Sequence, residues 1–162
     1  MQRRDALKLG SLAVATTLAG CAGDSPGSDT DTDADADDSD MSSDLDLREA
    51  NVVGVEFDDG DGSYDFTVSL RHDDAGEAGY ADWWQVERLD GTQLGRRDLL
   101  HAHENEQPFD RSETIEVPAD VTCVVVRGHD ETHGYGGRAV VVNLDAGAQN
   151  AIRQGSDPQS VT

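Results

Sequence analysis

The side chains best suited to chemistry in this 162-residue chain are its five histidines, His72, His101, His103, His129 and His133. Imidazole is the commonest ligand for late first-row metals, and it changes charge near neutrality. His101-Ala-His103 is a His-x-His pair, and on a strand that spacing points both rings to one side. His129-Asp-Glu-Thr-His133 offers a second pair on a tight loop, and Gly134-Tyr-Gly-Gly137 behind it lets the backbone bend sharply. Glu104, Glu106, Asp130 and Glu131 are close enough along the chain to orient these rings. Such a nitrogen-rich set suits Zn²⁺ or Cu²⁺ and disfavours Ca²⁺ and Mg²⁺, which take oxygen ligands. No spacing matches a specific zinc signature, because His-Glu-x-x-His and paired cysteines are both missing. Taken singly, each histidine reads better as a capping or exposed polar residue at a strand end than as a ligand. No other catalytic pattern is visible. Ser69 and Ser112 lack a Gly-x-Ser-x-Gly context, and Gly134-x-Gly-Gly follows no phosphate-loop pattern.

The elements that must carry these rings are read from alternation with period two. Residues 50–146 show it, with turn signals every eight to twelve positions. Strands are expected at Val52–Phe57, Tyr64–Arg71, Trp83–Leu89, Leu94–His101, Thr114–Val117, Val121–Gly128 and Arg138–Leu144. In the second, Tyr64, Phe66, Val68 and Leu70 alternate with Asp65, Thr67, Ser69 and Arg71. Asp90-Gly91 marks a hairpin turn. The last two strands are the most apolar and should be central. An aromatic pair, Trp83-Trp84, falls on the third strand, where one ring belongs in the core and the other at its margin. The predicted fold is all-β: a seven-stranded antiparallel sandwich of immunoglobulin-like or fibronectin-III-like type. Residues 147–162 read as a polar tail, with at most a helical turn around Ala148–Arg153.

In that arrangement the strands closing at His72, at His101 and His103, and at His129 all run toward one end. His133 sits in the following loop at the same end. The expectation is that all five rings meet at one rim, with at least three sharing one ion. His101-Ala-His103 on a sandwich resembles copper/zinc superoxide dismutase, though that family's disulfide and long metal loops have no counterpart. His133-Gly134-Tyr135 is similar to superoxide reductase, whose iron takes four His and one Cys. Where that family has Cys-x-x-His-Gly, this chain has His129 and one more residue of spacing, so the thiolate is missing.

Charge divides the chain into distinct regions. Acidic residues outnumber basic ones 34 to 12, giving a formal charge of −22. A balance this negative repels phosphate backbones and excludes nucleic acid as an electrostatic partner. A solvent-facing polybasic membrane patch is excluded on the same grounds. Residues 22–46 contain ten Asp, no Lys and no Arg. Such a segment buries too little apolar surface to offset its chain entropy, and 21–46 is expected to be a disordered tether. Its Asp-x-Asp run lacks the Gly and distal Glu of a calcium loop. Beyond Lys8 the chain has no lysine at all. Arginine as the sole basic residue on an Asp/Glu-coated surface resembles the proteins of salt-loving archaea, where salt screens self-repulsion.

The first 20 residues read as an address. Arg3-Arg4-Asp5-Ala6-Leu7-Lys8 precedes a short apolar run ending Leu18-Ala19-Gly20-Cys21. The run is shorter than the about 20 apolar residues that span a bilayer. A basic start, a short apolar middle and a small-residue end form an export signal. The arginine pair resembles the twin-arginine signal, and Leu18–Cys21 resembles the lipobox of bacterial and archaeal lipoproteins. The resemblance implies cleavage before Cys21, a thioether-linked lipid there, and a protein held on the outer face of the cytoplasmic membrane. Cys123 would then stand alone, and in Val121-Thr-Cys-Val-Val-Val126 it reads as a small buried hydrophobe. Residues 47–146 would form the exported domain. Three roles are open to it: a module that binds Zn or Cu, a metal-free adhesion or partner-binding module, or a metal-dependent redox enzyme.

Overall fold

The computed structural model describes residues 45–155 together with Ser160 and Val161. Arg3, Arg4, Cys21 and nearly all of the acidic tether lie outside the described residues. Nine strands form, and no helix occurs among the described residues. They are β1 (Asn51–Asp59), β2 (Ser63–Arg71), β3 (Ala81–Arg88), β4 (Gln93–Asp98), β5 (Phe109–Glu116), β6 (Cys123–Asp130), β7 (Gly134–Tyr135), β8 (Arg138–Asn143) and β9 (Gln149–Arg153). One sheet has the order β1-β2-β5, and the other runs β4-β3-β6-β8-β9 with short β7 beside β6. Every pairing is antiparallel.

The alternation read in β2 is the alternation that folds it. Phe66, Val68 and Leu70 are buried, while Asp65, Thr67 and Ser69 point to the other face. From the larger sheet, Trp84, Val86, Val124, Val126, Val140 and Val142 meet these residues in one core. The two sheets therefore share a single apolar layer between them. β6 and β8 are apolar on their second face too. There Val125, Ala139 and Val141 form a smaller cluster with Leu89, Ile152 and Val161. Two glycines allow close approaches where the sheets meet. A Cβ at Gly95 would stand 2.7 Å from Ile115 Cγ2 where β4 meets β5, and one at Gly128 would stand 2.5 Å from the Ala50 carbonyl. The Asp90-Gly91 turn forms as expected, with Gly91 at φ 87° and the Thr92 amide donating to Asp90 Oδ1.

Several expectations are corrected. Among the described residues nine strands stand where seven were read. Residues 149–153, read as part of a tail, form β9 and pair with β8 from Arg138↔Arg153 to Val142↔Gln149. Ala148–Arg153 contains no alternating apolar run, so only the open edge of β8 decides its conformation. β5 begins at Phe109, five residues before the expected start, because its pairing with β2 extends from Ser63↔Glu116 to Leu70↔Phe109. β4 ends at Asp98, which leaves His101 and His103 in the β4–β5 connection rather than on a strand. β6 runs on to Asp130, which places His129 within the strand and not at its end. Cys123 is half-buried rather than buried, and it is not a free thiol.

Candidate functional site

The ends of β2, β4 and β6 lie at one rim, where two buried carboxylates gather the loops. Asp74 follows β2. Its Oδ1 accepts from His72 Nδ1 at 2.5 Å and from the Ala81 amide at 3.1 Å, and its Oδ2 accepts from the His103 amide at 2.6 Å. One fully buried side chain thus ties the end of β2, the start of β3 and the β4–β5 connection together. Asp130 closes β6 in the same manner. Its Oδ1 accepts from the amides of Thr132 and His133 at 2.9 and 2.6 Å and faces His133 Nδ1 at 3.1 Å. A carboxylate holding successive amides fixes the tight turn into β7.

His72 stands between these two acids. Its Nε2 lies 3.0 Å from the Arg48 carbonyl and 4.0 Å from Asp130 Oδ2. Both ring nitrogens therefore face acceptors, which only the doubly protonated imidazolium satisfies. Burial on its own disfavours that cation. The Asp74 hydrogen bond and the charges of Asp74 and Asp130 outweigh it and hold the pKa above the ordinary value. For Asp74, burial pushes the carboxyl up, but hydrogen bonds from His72 and from the His103 and Ala81 amides bring it below the usual range.

The other rings are placed differently from one another. His129 points to the outer face of the larger sheet, where its Nδ1 lies 2.6 Å from Asp82 Oδ1. It stacks on Trp83 with ring centroids 4.2 Å apart, and Tyr135 meets both rings edge-on. Arg96 lies 5.2 Å from the Trp83 ring centroid, adding a cation to this cross-strand ladder. Trp84 is wholly buried and Trp83 only partly, as the aromatic pair suggested. His133 is held against Asp130 at the turn. His101 is exposed, its Nδ1 3.1 Å from the neighbouring Ala102 carbonyl.

His103 is the exception among the buried rings. It is 4% exposed and stacks on Phe109 at 3.9 Å, yet neither ring nitrogen has a hydrogen-bond partner. Asp74 Oδ2 is the near carboxylate, at 3.8 Å from Nδ1. Burial, reinforced by the charges of Arg111 and His101, pushes the His103 pKa below its ordinary value. The ring borders a cavity of about 420 Å³ lined also by Glu77, His101, Glu104, Asn105 and Glu106.

The rim thus collects His72, His103 and His133 around Asp74 and Asp130, with His101 beside His103, while His129 lies apart on Trp83. No group of three or more His, Cys, Asp or Glu among the described residues is placed to hold a metal ion. The five rings do not form one preassembled ligand set. Of the residues expected to orient them, Asp130 does so for His133. Asp74 and Asp82 were missed. His72-Asp-Asp74 directly after an alternating strand was the available signal for the first, whereas Asp82 meets His129 only through strand pairing.

No protein-family model and no solved structure matches the chain. A protein of Halomicrobium mukohataei named "Putative lipoprotein" is 63% identical over 117 residues, which is 72% of this chain. The chain matches 58% of that relative's length.

Proposed function

We propose that the chain is an exported lipoprotein, anchored by a thioether lipid at Cys21 to the outer face of the cytoplasmic membrane, whose sandwich serves as a recognition module. The observation that carries the anchor is Leu18-Ala19-Gly20-Cys21 after an arginine pair, in a chain 63% identical to a relative named as a lipoprotein. The Asp-rich segment 22–46 acts as a spacer whose like charges keep it extended. Three loops at one end of the sandwich, held by Asp74 and Asp130, make a fixed surface for a partner. Metal capture by all five histidines together is disfavoured, because His72, His129 and His133 each engage a carboxylate and His129 stacks elsewhere.

The mass of the mature protein tests the anchor. A lipidated Cys21 at the N-terminus is expected, and a Cys21→Ala variant should leave the membrane fraction. An intact Met1, or a mature chain cleaved away from Cys21, would end the lipoprotein reading.

A further inference from the structure

The cavity beside His103 has features that the structural hydrogen bonds of the rim leave unexplained. A buried polar group without a partner forfeits the hydrogen bonds that water would have given it. A buried imidazole with neither nitrogen engaged is the kind of group for which an ion or ligand supplies the missing bond. The exposed ring of His101 lies 4.6 Å from that of His103, centroid to centroid, and both line the cavity. Across from them is the connection between β2 and β3, which sets Glu77 on the cavity wall. It also brings Gly76 so near Glu104 that a Cβ on the glycine would stand 3.5 Å from Oε1. Glu106 is engaged elsewhere, 3.4 Å from Arg111, which in turn sits over Phe109. That leaves two imidazoles and the carboxylates of Glu77 and Glu104 around one space.

We propose that this cavity binds one divalent transition-metal ion of the zinc or copper class, with His103 and His101 as nitrogen ligands and Glu77 and Glu104 completing the shell. The mixed nitrogen and carboxylate donors match the preferences of Zn²⁺ and Cu²⁺. His103 borders the cavity with both ring nitrogens enclosed, so its ring must swing toward the ion. His101, Glu77 and Glu104 are exposed and must turn inward on the ion, because no three donors are yet gathered among the described residues. Asp74 supports the site from behind by holding the His103 backbone amide. The site is independent of the anchor, so the failure of either idea leaves the other standing.

Titration of the full chain with Zn²⁺ in molar KCl, against a chromophoric chelator, tests the assignment. One equivalent should bind, with Mg²⁺ failing to compete. His101→Ala, a change at an exposed ring, should weaken binding at least tenfold, and Glu104→Gln should weaken it by a smaller factor. His129→Ala with His133→Ala should leave the affinity unchanged. Because His103→Ala could unfold the rim, the His103 ring resonances are followed by NMR in the unaltered chain. They should shift on adding Zn²⁺, together with those of His101. Less than one equivalent bound, an unaltered affinity in His101→Ala, or a matching loss in the His129/His133 variant would each overturn the proposal.

Discussion

At the scale of single residues, the rim depends on His72 being charged while Asp74 is ionised. The two groups set opposite limits on stability. A raised pKa in the folded state means that the His72 contribution is fully present below about pH 6.5, its unfolded value, and is lost as pH rises through the folded one. A lowered Asp74 pKa means that its contribution is present above 3.8 and is lost as pH falls through the folded value. Denaturant unfolding at constant high salt should therefore show a His72-dependent loss of stability as pH rises above neutrality, superposed on the opposite contribution of His103. In His72→Gln that alkaline decline should disappear. Asp74→Ala takes the acceptor from His72 Nδ1 and from the Ala81 and His103 amides, and it should cost about 3 kcal/mol or more in the same measurement. Because the lowered His103 pKa contributes in the opposite sense over the same range, the comparison between variants decides: a His72→Gln stability profile parallel to that of the wild type between pH 5 and 8 would contradict the charged His72.

At the scale of elements, the sheets meet where side chains are absent. Gly95 passes Ile115 and Gly128 passes the Ala50 carbonyl too closely for a Cβ. Gly128→Val should be the worse of the two valine substitutions, because the obstructing atom is backbone and cannot rotate away. It should lower stability by about 1–3 kcal/mol, read as a shift of the denaturation midpoint. Gly95→Val should cost less if Ile115 changes rotamer. Asn51, next to Ala50, also joins the sheets: its Nδ2 donates to the Asp46 and Glu49 carbonyls, and its Oδ1 accepts from the Arg138 amide. At the far edge, β9 covers β8, and the Gln149 side-chain amide reaches the Val55 carbonyl of β1. Truncation after Ala148 should expose the β8 edge and the Val141 face beneath Ile152. The truncated chain is expected to self-associate, which light scattering at molar salt would reveal.

At the scale of the whole molecule, charge sets the conditions for folding. A formal charge of −22 on 162 residues repels itself, and the outer face of the smaller sheet shows how densely the acids lie. There Asp65 pairs with Thr114 and Asp110 with Ser69, with Glu56 and Glu116 exposed nearby. Screening shortens with ionic strength, from about 10 Å at 0.1 M salt to about 3 Å at 1 M. The thermal midpoint should thus rise steeply as KCl is added through the molar range and fall on dialysis into dilute buffer. A midpoint independent of salt would show that the acids are spaced widely enough to ignore one another.

Much of this protein was legible along the chain, where the information is local. Alternation in Tyr64–Arg71 named its buried face, Asp90-Gly91 named its turn, and the run Val124–Val126 named a central strand, because each depends on neighbours a few residues away. The composition of 22–46 and the motif at Leu18–Cys21 are likewise local, and the proposal of an anchored, tethered domain rests on them. Tertiary structure alone decided where the imidazoles point. His129 and Asp130 are adjacent in sequence, yet the pleat turns one toward Trp83 on the outer face and buries the other beside His72. The His103 backbone amide finds its acceptor in Asp74, 29 positions away, while its ring nitrogens find none. β9 exists because β8 offers it an edge, not because its own residues favour a strand. A sequence records which groups are available, whereas burial and pairing across two sheets determine which are satisfied and which remain open to a ligand.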